Sequence, residues 1–146
     1  MRDTIFQRLI AMLQTVTKFQ GEDGTVRVYD WPTSAPSGYP YVVVGSESLE
    51  STVLDNARDS RRYNFLVQIV GEKFGQEGGM LQADALKAMR DTEDQVLSLF
   101  DNQNALGTSF VIRTFPSNAK YGLTDNNARV VYTLELRVDT MVNVTL

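Results

Sequence analysis

The sequence predicts an α+β domain, with a single mixed, mainly antiparallel sheet of about five strands and two helices packed on one face. Two segments repeat apolar residues at every third or fourth position, which is the spacing of an amphipathic helix. Five others alternate at every second position or contain runs of β-branched residues, which favour strands. The order is helix, three strands, helix, two strands, and residues 1–146 contain no repeat or linker that divides them, so we predict one domain.

The first helix is predicted between Thr4 and Gly21. Thr4 and Gln7 have the spacing of a capping box, in which each side chain bonds a free backbone N–H of the other residue, and Gly21 is a typical helix stop. Because Gln7 and Arg8 interrupt the apolar residues, this segment predicts a structural helix rather than a secretion signal. Its apolar stripe consists of Ile5, Leu9, Met12, Leu13 and Val16.

Three strands are predicted next. TVRVYDWP (25–32) is a short strand that ends at Pro32, which has no N–H for a sheet interior. YVVVGSES (41–48) contains three consecutive valines, which predict at least partial cover on both faces, and a neighbouring subunit is one candidate for that cover. RRYNFLVQIVGEK (61–73) predicts a long strand whose strongly apolar side carries Tyr63, Phe65, Val67 and Ile69.

The second helix is predicted over residues 80–100. The glycines of FGQEGG (74–79) predict the turn that leads into it, because the Lys-Ser/Thr pair of a nucleotide-binding loop is absent. Thr92 and Gln95 match a capping box and allow a restart there, but we predict one continuous helix. Its apolar stripe consists of Leu81, Ala85, Met89, Val96 and Phe100.

Two strands close the chain. TSFVIRTFP (108–116) and ARVVYTLELRVDTMVNVTL (128–146) are predicted strands, joined by SNAKYGLTDNN (117–127) as a polar hairpin tip. The last strand predicts one buried and one wet face. The residues of the predicted wet face, Val131, Thr133, Glu135, Arg137 and Asp139, alternate with those of the predicted buried face, Val130, Tyr132, Leu134, Leu136 and Val138.

The segment ESLESTVLDNARDSRR (47–62) is predicted to be a long polar loop. Such loops are uncommon in compact domains unless they are functional or disordered. Its mixed charges favour an arm that orders against a partner of complementary charge, and a mobile loop without a role is the alternative. Predicted contact residues are Glu47, Glu50, Asp55, Arg58, Asp59, Arg61 and Arg62 in this arm, Lys120 and Tyr121 in the polar tip, and the terminal TMVNVTL.

The composition argues against an enzyme and against a cofactor or metal site. The chain has no cysteine and no histidine, which removes thiolate and imidazole chemistry. Ser117 and Lys120 have the Ser-x-x-Lys spacing, but a hairpin tip is not the helix start that this motif requires. The net charge of −4 comes from intermixed acids and bases, so no basic stripe is predicted to bind DNA phosphates. No run approaches the roughly 18 apolar residues of a membrane span.

The whole arrangement resembles the tail terminator (tail completion) proteins of long-tailed bacteriophages. The resemblance covers nearly the whole chain and is carried by the opening helix IFQRLIAMLQTV, the strand YPYVVVGSES with its charged continuation, RRYNFLVQIVGEK, ALKAMRDTEDQVLSLF and RVVYTLELRV. It implies a structural virion protein, made in the host cytoplasm, that forms a hexameric ring at the end of the tail tube. The implied partners are the major tail tube protein and head–tail connector proteins, with DNA passing through without specific binding.

Two other interpretations stay open. A head–tail connector, or neck (head completion) protein, has the same scale and also forms rings. A small-ligand binding module, or an enzyme acting through carboxylates, belongs to a different class and would act as a monomer or dimer.

Overall fold

The computed structural model of the protein describes residues 2–21, 24–30, 38–53, 58–75, 81–101, 106, 111–124 and 129–143. Within these residues the chain forms two α-helices, one short 3-10 helix (Thr17–Phe19) and five strands. The helices are α1 (Arg2–Leu13) and α2 (Gln82–Asp101). The strands are β1 (Val28–Asp30), β2 (Tyr41–Val53), β3 (Arg58–Lys73), β4 (Val111–Thr124) and β5 (Arg129–Asn143).

The five strands form one sheet in the order β1-β2-β3-β5-β4. β1 pairs in parallel with the first part of β2, over Val42–Val44 only. The other three neighbouring pairs are antiparallel. The predicted α+β class, with a mixed and mainly antiparallel sheet and two helices, is therefore confirmed.

Both helices pack on the same face of the sheet and share one hydrophobic core. Val67 of β3 lies level with Val44 of β2 and Leu134 of β5, and all three side chains are fully buried or nearly so. Fully burying such a side chain stabilises the fold by about 1.5–3 kcal/mol, so this face carries most of the stability. The helices add Ile5, Leu9, Leu13, Ala85, Met89, Val96 and Phe100 to the same cluster.

Helix α1 differs from its prediction at both ends. It begins before Thr4, which therefore lies inside the helix and does not cap it, and it ends well before Gly21. The hydroxyl of Thr15 donates to the carbonyl oxygen of Met12 at 2.6 Å, and a β-branched residue that bonds the backbone in this way competes with helix continuation. The apolar stripe nevertheless extends past the helix, because Val16 is buried.

Helix α2 is continuous, as predicted. The Thr92 hydroxyl is buried and donates to the carbonyl oxygen of Ala88 at 2.8 Å, so its hydrogen bond is made within the helix and no restart is needed. Leu81 was predicted to belong to the apolar stripe, but it precedes the helix and is 72% exposed.

The polar segment 47–62 is not a loop, and that prediction was wrong. β2 continues to Val53 and β3 begins at Arg58, so the segment forms the end of a long antiparallel hairpin, with residues 54–57 outside the described part. Its backbone groups bond across the hairpin and, on the β3 side, to β5 up to Asn143. The polar composition is compatible with a strand, because backbone pairing does not require apolar side chains.

The predicted tip between the last two strands is also mostly strand. Residues 118–124 pair with residues 129–135 of β5, and residues 125–128 lie outside the described part. The turn predicted after β3 agrees with Gly75, whose φ of +73° lies in the left-handed region that glycine adopts without strain. Residues 76–80 are not described.

The burial of Val43 shows that this part of β2 does not need a neighbouring subunit to cover it. Val43 lies on the sheet face opposite the helices, yet only 4% of it is exposed in the isolated chain. The cover at this position is thus supplied by the chain itself.

Candidate assembly surface

The sheet face opposite the helices, here called the outer face, is polar along β3, β5 and β4. The alternation of β5 places Glu135, Arg137 and Asp139 on it, as the sequence predicted. Strand pairing then brings residues from distant parts of the chain beside them. The charged side chains of the outer face include Arg62, Arg113, Lys120, Glu135, Arg137 and Asp139.

Two arginines bind one aspartate across three strands of this face. Arg62 donates from Nε to Oδ1 of Asp139 at 2.7 Å and from Nη2 to Oδ2 at 3.3 Å, which is the bidentate arrangement. Arg113 donates from Nε to Oδ2 of the same carboxylate at 2.7 Å. The ring of Phe115 lies near both guanidinium groups, whose carbons are 5.8 Å and 4.7 Å from its centroid.

The strand register extends this arrangement to a fourth strand. Glu50 of β2 is the register partner of Arg62 in β3. Arg62 is in turn the register partner of Asp139 in β5, and Asp139 is that of Arg113 in β4. We call Glu50, Arg62, Asp139 and Arg113 the charged row. Its members come from four neighbouring strands at one level of the sheet, and their charges alternate in sign from β2 to β4.

The arginines set the ionisation of Asp139. Its hydrogen bond from Arg62, followed by that from Arg113, lowers the pKa of the carboxyl, while partial burial opposes them. The side chain of Asp139 is 15% exposed, compared with 32% for Arg62 and 59% for Arg113. The interaction with Arg62 is therefore the better shielded of the two, and that with Arg113 is weakened by solvent.

A second group of polar contacts surrounds Glu135. Its Oε1 accepts hydrogen bonds from the Ser117 hydroxyl at 3.0 Å and from Nε of Arg137 at 3.1 Å. Arg62, Arg113 and Arg137 are thus all bound to carboxylates of the same chain. This face does not offer them as a free stripe for nucleic acid phosphates.

Tyr121, one of the predicted contact residues, lies on the helix side of β4. Its hydroxyl donates to Oε2 of Glu93 in α2, and its ring packs on that of Tyr132 with centroids 5.0 Å apart. Burial and then Glu93 raise the pKa of Tyr121 to about 12, and the same causes raise that of Tyr132. Tyr121 remains 49% exposed, so a contact with another subunit stays a prediction.

We expect the Glu93→Gln variant to release tyrosine protons at lower pH than the wild-type protein, because removing the carboxylate lowers the raised pKa of Tyr121. Since the folded pKa is raised from 10.0 to about 12, the stability that this group contributes is complete below pH 10.0 and is lost as pH rises through about 12. Absorbance titration of tyrosinate measures the shift. Asp91→Asn, which removes an exposed carboxylate of the same helix, serves as control. Superimposable curves for Glu93→Gln and wild type would contradict the assignment.

The structure separates the predicted contact residues into two places. Glu47 and Glu50 lie in β2, and Arg58, Asp59, Arg61 and Arg62 lie in β3, at the hairpin end of the sheet, while Asp55 is outside the described residues. Lys120 is exposed on the outer face, seven residues along β4 from Arg113 and away from the hairpin end. The C-terminal segment contributes residues 140–143 to β5, and residues 144–146 are outside the described part.

Arg113, Phe115 and Asp139 were not among the predicted contact residues. The alternation of β5 placed Asp139 on the wet face, but its partner Arg62 is 77 residues away in sequence. Only the strand register brings them together, and no local pattern contains that information.

Two strand edges remain open in the described part of the sheet. β4 is the last strand on one side and is 14 residues long. On the other side β1 covers only Val42–Val44, which leaves the second half of β2 as the sheet margin. Unpaired edges of this length can bind a further strand.

No helix within the described ranges combines the length and the apolar character needed to cross a lipid bilayer.

The comparisons with known proteins identify a shared fold. No family model matches the sequence, and no curated protein matches it. Among solved structures, the chain is similar to a chain in the virion of a native gene transfer agent particle. The TM-score is 0.61, the match covers 94% of this chain and 91% of that chain, and 13% of the residues are identical. The likeness extends over nearly the whole of both chains, which shows that they have the same fold.

Proposed function

We propose that the protein is a structural component of a phage-like virion, a subunit of the ring that closes the tail tube and joins the tail to the head. The observation that carries this proposal is the fold shared with a chain of a gene transfer agent virion, over nearly the full length of both chains. The sequence resemblance to tail terminator proteins indicates the specific position within the virion.

The two open strand edges support assembly of identical copies. They lie on opposite sides of the sheet, so one copy can present β4 while the next presents the second half of β2. In such a contact, called heterologous, two different surfaces of the subunit meet. The copies form a closed ring when the rotation from one copy to the next is a whole-number fraction of a full turn. The hexameric state is taken from the tail terminator resemblance.

The electrostatics suit a ring through which DNA passes. The chain has a net charge of −4. On the outer face, Asp139 binds Arg62 and Arg113, and Glu135 binds Arg137. Guanidinium groups that are bound to carboxylates of the same chain hold phosphates less tightly, so the duplex can slide. The ring surfaces then contact the tail tube protein on one side and head–tail connector proteins on the other.

The hairpin end of β2 and β3 is the proposed contact region for these partners and for neighbouring subunits. Arg58 and Arg61 lie there on the β3 side, and Arg61 is level with Thr140, whose hydroxyl donates to the Arg61 carbonyl oxygen at 3.1 Å. Charged residues at an interface margin govern partner choice and association rate more than affinity.

We expect the Arg58→Glu/Arg61→Glu double variant to assemble at least about tenfold less readily than the wild-type protein. Reversing these charges turns attraction to a partner surface of complementary charge into repulsion. This pair leaves the Arg62–Asp139 interaction intact. Native mass spectrometry over a concentration series measures the ring fraction, and circular dichroism confirms folding. Lys87→Glu, which makes a charge change of the same kind at an exposed position of α2, is the control. Equal ring fractions for the double variant and the wild-type protein would exclude the hairpin end as a joint.

A second experiment tests the position in the virion. Purified protein added to polymerising tail tube protein is expected to bind tube ends and stop their growth, with tube lengths measured by electron microscopy. Binding to DNA-filled heads but not to tubes would instead identify a head–tail connector. A monomer at all concentrations that binds neither would overturn both and favour a ligand-binding module.

A further inference from the structure

The charged row is self-complementary from end to end. It begins with an acid at the β2 margin, Glu50, and ends with a base at the β4 margin, Arg113. The two inner members, Arg62 and Asp139, bind each other. A second copy placed beside the first, with its β2 next to β4 of the first, therefore continues the alternation of charges without interruption.

The open edges lie at the same level as the row. Register partners across the sheet place Ser48 level with Phe115 and Glu50 level with Arg113. The part of β2 that β1 leaves uncovered thus lies at the height of the first five residues of β4. On each side of the molecule, the open strand edge therefore lies at the level of one charged residue: Glu50 on β2 and Arg113 on β4.

Given the ring proposed above, we propose that neighbouring copies join edge to edge. The first part of β4 (residues 111–115) of one copy pairs with the second half of β2 (residues 48–51) of the next. Arg113 then lies opposite Glu50 of the neighbouring copy, and the charged row runs from subunit to subunit. The occupant of the open edge is a second copy of this chain.

Strand direction agrees with this joint. Three successive antiparallel pairs separate β2 from β4, so the two strands run in opposite directions within one copy. Rotation about an axis roughly parallel to the strands keeps these directions, and β4 of one copy then meets β2 of the next in antiparallel orientation. Antiparallel pairing is the more stable of the two modes per residue.

Pro116 and β1 limit the length of the joint. Pro116 has no backbone N–H to donate, and β4 has a register shift between Pro116 and Asn118. By register, Pro116 is level with Ser46, just before the level at which β1 covers Val44. The strand can therefore leave the joint at the height where β1 of the neighbouring copy occupies the edge.

A mixing experiment tests the joint. In the Glu50→Arg variant every joint holds two bases, and in the Arg113→Glu variant every joint holds two acids, so each variant alone is expected to lose its rings. In an equimolar mixture each joint of an alternating ring holds one acid and one base, and rings are expected to reappear. Native mass spectrometry reads both states, because the two variants differ in mass.

Three controls define the outcomes. Circular dichroism and thermal unfolding of each variant must show a folded chain, and Lys87→Glu, at an exposed position of α2, is expected to assemble as the wild-type protein does. Rings that persist in both single variants, or a mixture that stays as disassembled as its components, overturn the joint and leave the ring function in place. A wild-type chain that never forms rings overturns the ring itself, and the joint with it.

A cross-linking variant tests the same joint with both charges retained. The chain has no cysteine, so any disulfide in Ser48→Cys/Phe115→Cys uses the introduced residues. Within one copy these positions are three strand spacings apart, about 14 Å, which exceeds the reach of a disulfide. Mild oxidation of the assembled protein is expected to give a covalent ladder ending at the ring. An assembled but uncross-linked protein would contradict the pairing.

Discussion

The Leu134→Ala variant is expected to lose about 2–5 kcal/mol of its free energy of unfolding, the largest stability effect among the changes considered. Leu134 is 1% exposed and lies in β5, between β3 and β4, on the face covered by the helices. Truncation removes apolar contacts and leaves a cavity that the neighbouring strands can fill only in part. Because a domain of this kind is stabilised by only about 5–15 kcal/mol, the loss is a large fraction of the total.

Equilibrium unfolding in urea measures this effect. Thr133→Ala is the matched control, because Thr133 is the adjacent residue of the same strand, lies on the outer face and is partly exposed. Its expected cost is below about 1 kcal/mol. Similar losses for both variants would contradict the assignment of the two faces of β5. Ring formation by Leu134→Ala should fall in parallel, since only the folded subunit assembles.

The second large effect is expected for Asp139→Asn, which should cost about 1–3 kcal/mol near neutral pH, because it removes charge-assisted hydrogen bonds from two arginines. The cost from Arg113 is the smaller part, as that side chain is 59% exposed. The loss also leaves Arg62 and Arg113, which flank position 139 in the charged row, without the acid between them.

The pH dependence gives a sharper readout for Asp139. Its pKa in the folded state lies below the ordinary value of 3.8, so the stability that it contributes is complete above that value and is lost as pH falls through the lower folded pKa. Urea unfolding at a series of acidic pH values should show wild type and Asp139→Asn converging as the pH falls. Thr133→Ala, which removes no titrating group, should keep a constant difference from wild type. A constant difference between wild type and Asp139→Asn down to the lowest pH would contradict the contribution of this carboxyl.

The sequence was sufficient for features that depend on local periodicity. The alternation of Val130, Tyr132, Leu134, Leu136 and Val138 predicted which face of β5 is buried, and burial of all five confirms it. Helical spacing predicted α2 as one continuous helix. In each case the side-chain period follows from the backbone geometry of a single element, so a short window of sequence contains it.

The polar strands were beyond sequence analysis for a physical reason. Residues 47–53 and 117–124 carry the composition of loops, and they are strands because another part of the chain supplies their backbone hydrogen bonds. Pairing of this kind is decided by the register of distant segments, which no local composition determines.

By itself, the sequence determined the fold class, the order of the elements, and which face of each long strand is apolar, because these depend on residue type and spacing along one segment. The charged row was decided only in the tertiary structure. Its arginines and carboxylates come from four strands, and Arg62 and Asp139, 77 residues apart, become neighbours only through antiparallel register. Hydrogen bonds act over only a few ångströms, and salt screens Coulomb attraction beyond about 10 Å. The partners of a charge therefore depend on the folded arrangement of strands.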